Sequence, residues 1–264
     1  MLTLTLTNSL LLEGAVCLTL PIAVLLIWHG KTRSRVSPFF VGALMFVVFA
    51  LILEQAAHSL ILGGGSALAG AINGNLLYKA VYGGLAAGLF EETGRLFGFR
   101  VMLKKQTAKQ TAVTYGIGHG GIECMLLAGV NGLLYGLFSA GVVSASVLGS
   151  TAADALTKTL AATAAAAPLW GIMERVSAML LHIGLSIFVF KAASVQGKMW
   201  LYPAAILIHA AADAGIVYLA GYVSSIPVIE AVTLGVCLFV FVISLNTYDK
   251  LPANAGSTEP KAVV

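Results

Sequence analysis

Charge is scarce in this chain. Only 10% of its 264 residues are Asp, Glu, Lys or Arg, while 59% are hydrophobic and 29 are Gly. A soluble domain carries about 25% charged residues, so a chain this poor in them could not cover a water-facing surface. The same scarcity, joined to high hydropathy, excludes an intrinsically disordered chain. Cysteine is nearly missing as well. Cys17, Cys124 and Cys237 stand apart in apolar runs, which argues against a disulfide framework and against a CxxC thiolate site. Residues Met1 to Asn8 hold no Lys or Arg and no A-x-A site follows, so the N-terminus reads as a first span rather than a cleavable signal peptide. HExxH, GxSxG and the P-loop do not occur, which sets aside the ordinary zincin, the serine-hydrolase elbow and the Walker-type nucleotide loop. The net charge of +4 is dispersed over short loops and signals no nucleic-acid partner.

Long apolar runs are plentiful. They fall near 8–28, 37–62, 76–99, 111–139, 169–190, 199–221 and 224–246. Each approaches or exceeds the ~20 residues that cross ~30 Å of hydrocarbon at ~1.5 Å per residue. The fold class expected is therefore an all-α polytopic helix bundle of about seven spans in the lipid bilayer, as one domain over residues 1–248. Lys31, Arg33 and Arg35, then Arg100, Lys104, Lys105 and Lys109, then Lys191 and Lys198, then Lys250 and Lys261 follow alternate spans. By the positive-inside rule these loops are cytoplasmic, with the N-terminus outside and the C-terminus inside. Residues 140–168 read as an amphipathic segment on the outer surface, because Leu148, Ala152, Leu156 and Leu160 recur every four residues; an eighth span is the alternative. Residues 249–264 read as a disordered cytoplasmic tail. Gly84 with Gly88, Gly94 with Gly98, Gly116 with Gly120 and Gly132 with Gly136 have the spacing that lets membrane helices approach closely.

The few acids are mostly inside the apolar runs. Glu13, Glu54, Glu91, Glu92, Glu123, Glu174, Asp213 and Glu230 all fall there. A charge at mid-membrane costs at least ~2.5–3.5 kcal/mol on insertion scales, so such groups should face the bundle interior and pair or bind something. Counting from the basic end of each span, Glu91, Glu92, His119, His182 and His209 all lie ~12–15 Å deep, in one layer. In Glu91-Glu92-x-x-Arg95 one carboxylate can pair with the arginine while the other points inward. His119 and Glu123 are one turn apart, as are His209 and Asp213, a spacing at which a carboxylate can orient an imidazole. Glu174-Arg175 reads as a structural pair, as do Glu54 and His58.

The ordered set Glu91-Glu92-x-x-Arg95, aromatic-x-x-x-His119 and His209-x-x-x-Asp213 resembles the CAAX-protease and bacteriocin-processing superfamily of intramembrane proteases. The strings FEETGR, GIGHGGIE, ERVSAMLLHIGLS and HAAAD resemble its YhfC-type relatives, a bacterial group of intramembrane metalloproteases, over about residues 90–213. Tyr115 departs slightly, since the wider superfamily favours Phe there. The resemblance implies that Glu91 activates the attacking water with help from His119. It implies that His209 and Asp213 bind a metal or stabilise the oxyanion, and that Glu92 and Arg95 hold their helix in place. His182 shares the layer but lies outside the three motifs, as a further ligand or the partner of one. The candidate catalytic set is thus Glu91, Glu92, His119, His209 and Asp213. The candidate metal set is Glu91, His119, His182 and His209, and Arg95, Glu123, Glu174 and Arg175 give support.

The resulting expectation is an endopeptidase of a bacterial plasma membrane, with a cytoplasm-facing cavity and a peptide or membrane-protein substrate. No obligate protein partner is implied. A zinc ion with an open position and a metal-free Glu–His pair both remain open as the means of activating water. A proton- or metal-coupled transporter using the same buried layer is the alternative, and a catalytically inactive scaffold is a third reading.

Overall fold

The computed structural model describes residues 5–253, so the tail expected at the C-terminus lies, from residue 254 onward, outside the described residues. Among the described residues there is no strand. The helices are α1 (Leu6–Thr32), α2 (Ser37–Leu62), α3 (Ala67–Gly74), α4 (Leu76–Phe97), α5 (Gln110–Ser139), α6 (Ser150–Ala162), α7 (Ala167–Ser194), α8 (Leu201–Ala220) and α9 (Ile226–Asp249). One further turn of helix spans Ala145–Leu148. Local signals set several starts. Thr5, Ser66 and Asn75 each accept a hydrogen bond from a backbone N–H three residues on, and Pro occupies the first turn of α2, α7 and α9.

Six of these helices, α1, α2, α5, α7, α8 and α9, are long and apolar enough to cross a membrane. The chain is a multi-pass membrane protein. The expectation was about seven spans. The remaining long helix, α4, has 22 residues and a length of ~33 Å, but every 18-residue stretch of it carries three or four charged side chains. Those charges include Glu91, Glu92 and Arg95, all buried inside the bundle. Helix α4 packs lengthwise on α8, which is apolar enough to span. At 13 residues, or ~20 Å, α6 is too short to be an eighth span.

Helix α7 is the hub. It is 72% buried over its apolar window, against 22–33% for the other five apolar helices, and it contacts α1, α4, α5, α8 and α9. Large apolar side chains that face outward, such as Leu26, Phe40, Leu207 and Phe239, give the bundle a surface suited to lipid. Three stretches widen into π-helix: Val47–Glu54 within α2, Gly98–Met102 after α4, and Cys124–Val130 within α5. Two of them directly follow stretches that carry buried acids or histidines, a placement common for π-turns at functional sites.

Contacts define the two ends. At one, the Lys109 N–H donates to Ala253 O at 3.2 Å and Gln106 Nε2 donates to Ser37 Oγ at 2.9 Å. At the other, Thr7 and Ser139 share a hydrogen bond of 2.7 Å. Lys31, Arg33, Arg35, Arg100, Lys104, Lys105, Lys109, Lys191, Lys198 and Lys250 all lie toward the first end.

Candidate metal centre

Glycine allows the site to assemble. In Gly116-Ile-Gly118-His119-Gly120-Gly121, a Cβ at Gly116 would stand 2.6 Å from Ile183 Cα, and one at Gly120 would stand 3.1 Å from Met179 Cα. A Cβ at Gly118 would overlap the Phe39 carbonyl, and one at Gly121 would stand 2.8 Å from Pro21 Cβ. Helix α5 is therefore gripped backbone-to-backbone by α7 on one side and by α2 and α1 on the other. His119 is the one bulky polar side chain of that stretch, and it projects into the space left. Gly84 and Gly88 do the same for α4 against α8, where added Cβ atoms would meet the Ala210 and Ile206 carbonyls. That contact brings His209 onto the Glu91–Glu92 turn.

The five layer residues meet. His119 Nε2 stands 2.9 Å from Glu91 Oε2, and His182 Nδ1 stands 3.8 Å from the same oxygen. The His119 and His182 rings are 4.9 Å apart, and those of His182 and His209 are 5.4 Å apart. Arg95 Nε pairs with Glu92 Oε2 at 2.9 Å, and neither side chain has any solvent exposure. Arg95 also donates from Nη1 to His182 O at 3.0 Å and to Ser186 Oγ at 2.8 Å, and from Nη2 to His182 Nδ1 at 3.2 Å. One guanidinium thus ties α4 to α7. Leaving such a buried charge unpaired costs about 3–5 kcal/mol.

Because Arg95 can only donate, His182 Nδ1 accepts, and the ring proton sits on Nε2. That nitrogen stands 2.6 Å from Glu123 Oε2. Glu123 in turn accepts from Arg175 Nη1 at 2.6 Å, and Arg175 also pairs with Glu174. The expectation that Glu123 orients His119, one turn away on its own helix, is corrected here. Glu123 orients His182 across the α5–α7 interface, because His119 turns its Nε2 to Glu91 instead. Likewise Glu174-Arg175 is no isolated pair but the outer end of the chain Glu174–Arg175–Glu123–His182.

Glu91, His119 and His182 offer one donor atom each, all within 4.8 Å of one another and all buried. His209, expected among the ligands, lies outside this group. Its Nδ1 is 2.8 Å from Glu92 Oε1 and its Nε2 is 3.4 Å from Asp213 Oδ2, so both ring nitrogens face carboxylates. The donor set fits zinc: two imidazoles and a carboxylate are ordinary ligands of a site that keeps a fourth position open. Donor atoms ~2.0–2.1 Å from a tetrahedral zinc stand ~3.3 Å apart, between the 2.9 and 3.8 Å seen here. Among the described residues the buried His119 Nδ1 has no hydrogen-bond partner.

A cavity of about 320 Å³ adjoins the group. Glu91, Glu123, His182, His209 and Asp213 line it, and it continues past Glu174, Val217 and Thr233. On α4, α5, α7 and α8 these lining residues are displaced from the layer in one direction, away from the basic loops. The cavity expected to reach the layer from the basic end therefore lies on its other side. Aromatic packing explains the reversal. Tyr115, one turn from His119 toward the basic end, packs at a tilt on Phe99 with ring centroids 4.5 Å apart, and Phe99 packs edge-on to Phe190 at 5.3 Å. All three are buried. Counting depth in the sequence gives the layer's level but not which side of it is filled. Ser186, which holds Arg95, and Cys237, on the cavity wall, carried no such signal; each reads in sequence as one more small residue of an apolar run.

Comparison with known proteins adds a family. Residues 16–233 match the family model described as YhfC intramembrane metalloprotease. The chain is also 31% identical over 208 residues to a protein of Bacillus subtilis (strain 168) named "Uncharacterized membrane protein YhfC", covering 76% of this chain and 80% of that one. No solved structure matches significantly.

Proposed function

Because the chain belongs to the YhfC intramembrane metalloprotease family, we propose that it hydrolyses a peptide bond of a membrane-associated polypeptide at the Glu91–His119–His182 group. The observation that carries this reading is the buried Glu91–His119–His182 group, two of whose members, Glu91 and His182, line a cavity that also holds a second, differently bonded His–carboxylate unit. In the reaction, water adds to the carbonyl carbon, the C–N bond breaks, and a carboxylate and an amine leave. Glu91, His119 and His182 would hold zinc. When bound, zinc acidifies water and polarises the carbonyl.

The chain's own groups do the rest. Glu123 accepts a hydrogen bond from His182 Nε2 and so leaves the Nδ1 lone pair facing Glu91, where a bound metal would replace the Arg95 Nη2 contact of 3.2 Å. Glu92 and Arg95 fix the α4 turn on which Glu91 stands. His209 lines the cavity and keeps Nδ1 on Glu92, while its Nε2, 3.4 Å from Asp213, would turn its N–H to the developing oxyanion. Asp213, 37% exposed beside it, is placed to pass a proton to the leaving amine. A metal-free mechanism draws on one observation, the direct 2.9 Å contact between His119 Nε2 and Glu91 Oε2, a carboxylate–imidazole pair able to activate water unaided.

The test is metal content of the purified protein beside Glu91→Ala, His119→Ala and His182→Ala, together with peptide cleavage. About one zinc per chain, lost in each folded variant along with cleavage, is the expected result. Cleavage by zinc-free protein would move the chemistry to the metal-free pair. Bound zinc with no cleavage and zinc flux in proteoliposomes would replace the protease by a permease.

A further inference from the structure

Solvent exposure along the site is graded. Side chains of Glu92, Arg95 and His119 are 0% exposed; Glu91 is 10%, Glu123 and Arg175 are 12%, Asp213 is 37% and Glu174 is 45% exposed. Glu174 and Val217 each lie eight residues from the layer on their own helices, so the wet end of the cavity is ~12 Å from His182 and His209. Gly83 lies eight residues before Glu91 in the same direction. On the opposite side Tyr115, Phe99 and Phe190 close the bundle, and beyond them come Arg100, Lys104 and Lys105.

Ten Lys and Arg residues lie toward that closed end; among the described residues Lys79 and Lys158 stand toward the other. Short loops rich in Lys and Arg stay in the cytoplasm. From these two asymmetries we infer that the reaction centre opens to the extracytoplasmic side, and that its substrates are polypeptide segments in or entering the outer half of the membrane. The inference rests on the Glu91–His119–His182 group being a reaction centre only for the word "substrates"; the side of access stands on cavity and charge alone. A peptide arriving from this side passes Glu174 and Asp213 before it reaches Glu91, and no route through the aromatic layer is needed. Ionisable groups within a membrane face the bundle interior or a water-filled cavity, and the partly exposed Asp213 and Glu174 stand at the cavity end away from the basic loops.

Single cysteines read the side of access directly, because an impermeant sulfonated maleimide reacts only with a thiol in water. In a Cys237→Ala background, which removes the native thiol on the cavity wall, Ala178→Cys and Val217→Cys report the cavity, and Arg35→Cys and Lys198→Cys report the basic loops. Right-side-out vesicles should label positions 178 and 217 and spare 35 and 198; inside-out vesicles should do the reverse. Cavity positions that react only in inside-out vesicles, from both sides, or in neither preparation would each overturn the inference. Labelling needs no activity, so a variant's failure to fold is recognised by loss of detergent-extractable monomer, with 178 and 217 as independent positions. N-terminal profiling of membrane proteins from cells carrying wild type or Glu91→Gln separates the two readings. Cleavage sites lost in the variant should lie in outer-half or extracytoplasmic segments. Sites confined to cytoplasmic segments would overturn the substrate assignment, whereas the same termini in both strains, with outside labelling intact, would sink the protease reading and leave the access side standing.

Discussion

Glu123 reaches the proposed metal group only through another side chain. It stands 2.6 Å from His182 Nε2 and is held there by Arg175. A carboxylate in that position fixes the ring's tautomer and raises its basicity, and losing it typically weakens metal binding about 10–100-fold. Glu123→Gln should therefore lower zinc affinity by about that factor while leaving the folded chain intact. A competitive zinc titration against a chromogenic chelator measures it. Unchanged affinity would mean that His182 is oriented by Arg95 alone. Glu91 was legible in sequence as a candidate, and so was His182 from its depth. The partner of Glu123 was not. Helical periodicity puts Glu123 beneath His119, but the choice between two imidazoles is made by the α5–α7 crossing, which lies beyond any one helix's period.

At the scale of elements, the site depends on how closely helices touch. Gly118 lies against the Phe39 backbone, where any side chain must push α2 and α5 apart. Gly118→Ala should cost about 1–3 kcal/mol as overpacking, and by shifting His119 it should also reduce zinc uptake. Gly235→Ala is the control: open space surrounds that position on α9, and the change should be neutral or stabilising by about 0.5–1 kcal/mol. Thermal unfolding in detergent and zinc content per chain distinguish the two; equal behaviour would show that the α2–α5 crossing is slack. The helices themselves were plain in the sequence. The runs at 37–62 and 169–190 became Ser37–Leu62 and Ala167–Ser194, since length and hydropathy suffice to mark them. The π-helical stretches were not, because a widened turn preserves composition and only displaces which residues face a neighbour.

For the whole molecule, the proposed ligands stand on three helices, α4, α5 and α7, so metal binding there would be linked to bundle stability. Zinc at 100 times its dissociation constant should stabilise the folded protein by about 2.7 kcal/mol, seen as a higher unfolding temperature that a chelator reverses. His119→Ala should remove that increment. A zinc-independent unfolding temperature in wild type would place bound metal, if any, outside the three-helix group. The bundle's two-ended character was half visible beforehand: the basic loops gave one end its charge, while the packing of Tyr115 and Phe99 with Phe190, far along the chain, joins elements no single run reveals.

That aromatic layer also shapes the electric field. A hydrated cavity is conductive, so the transmembrane voltage drops little along it and falls mainly across the dry stretch where Tyr115, Phe99 and Phe190 pack. Moving an elementary charge through the full potential costs about 2.3 kcal/mol per 100 mV. A divalent ion entering past Glu174 would meet only a small part of that, whereas a proton leaking toward the basic loops would have to cross nearly all of it past rings whose one polar atom, the buried Tyr115 hydroxyl, has no hydrogen-bond partner among the described residues. The bundle can thus hold a deep polar centre in an energised membrane without short-circuiting it.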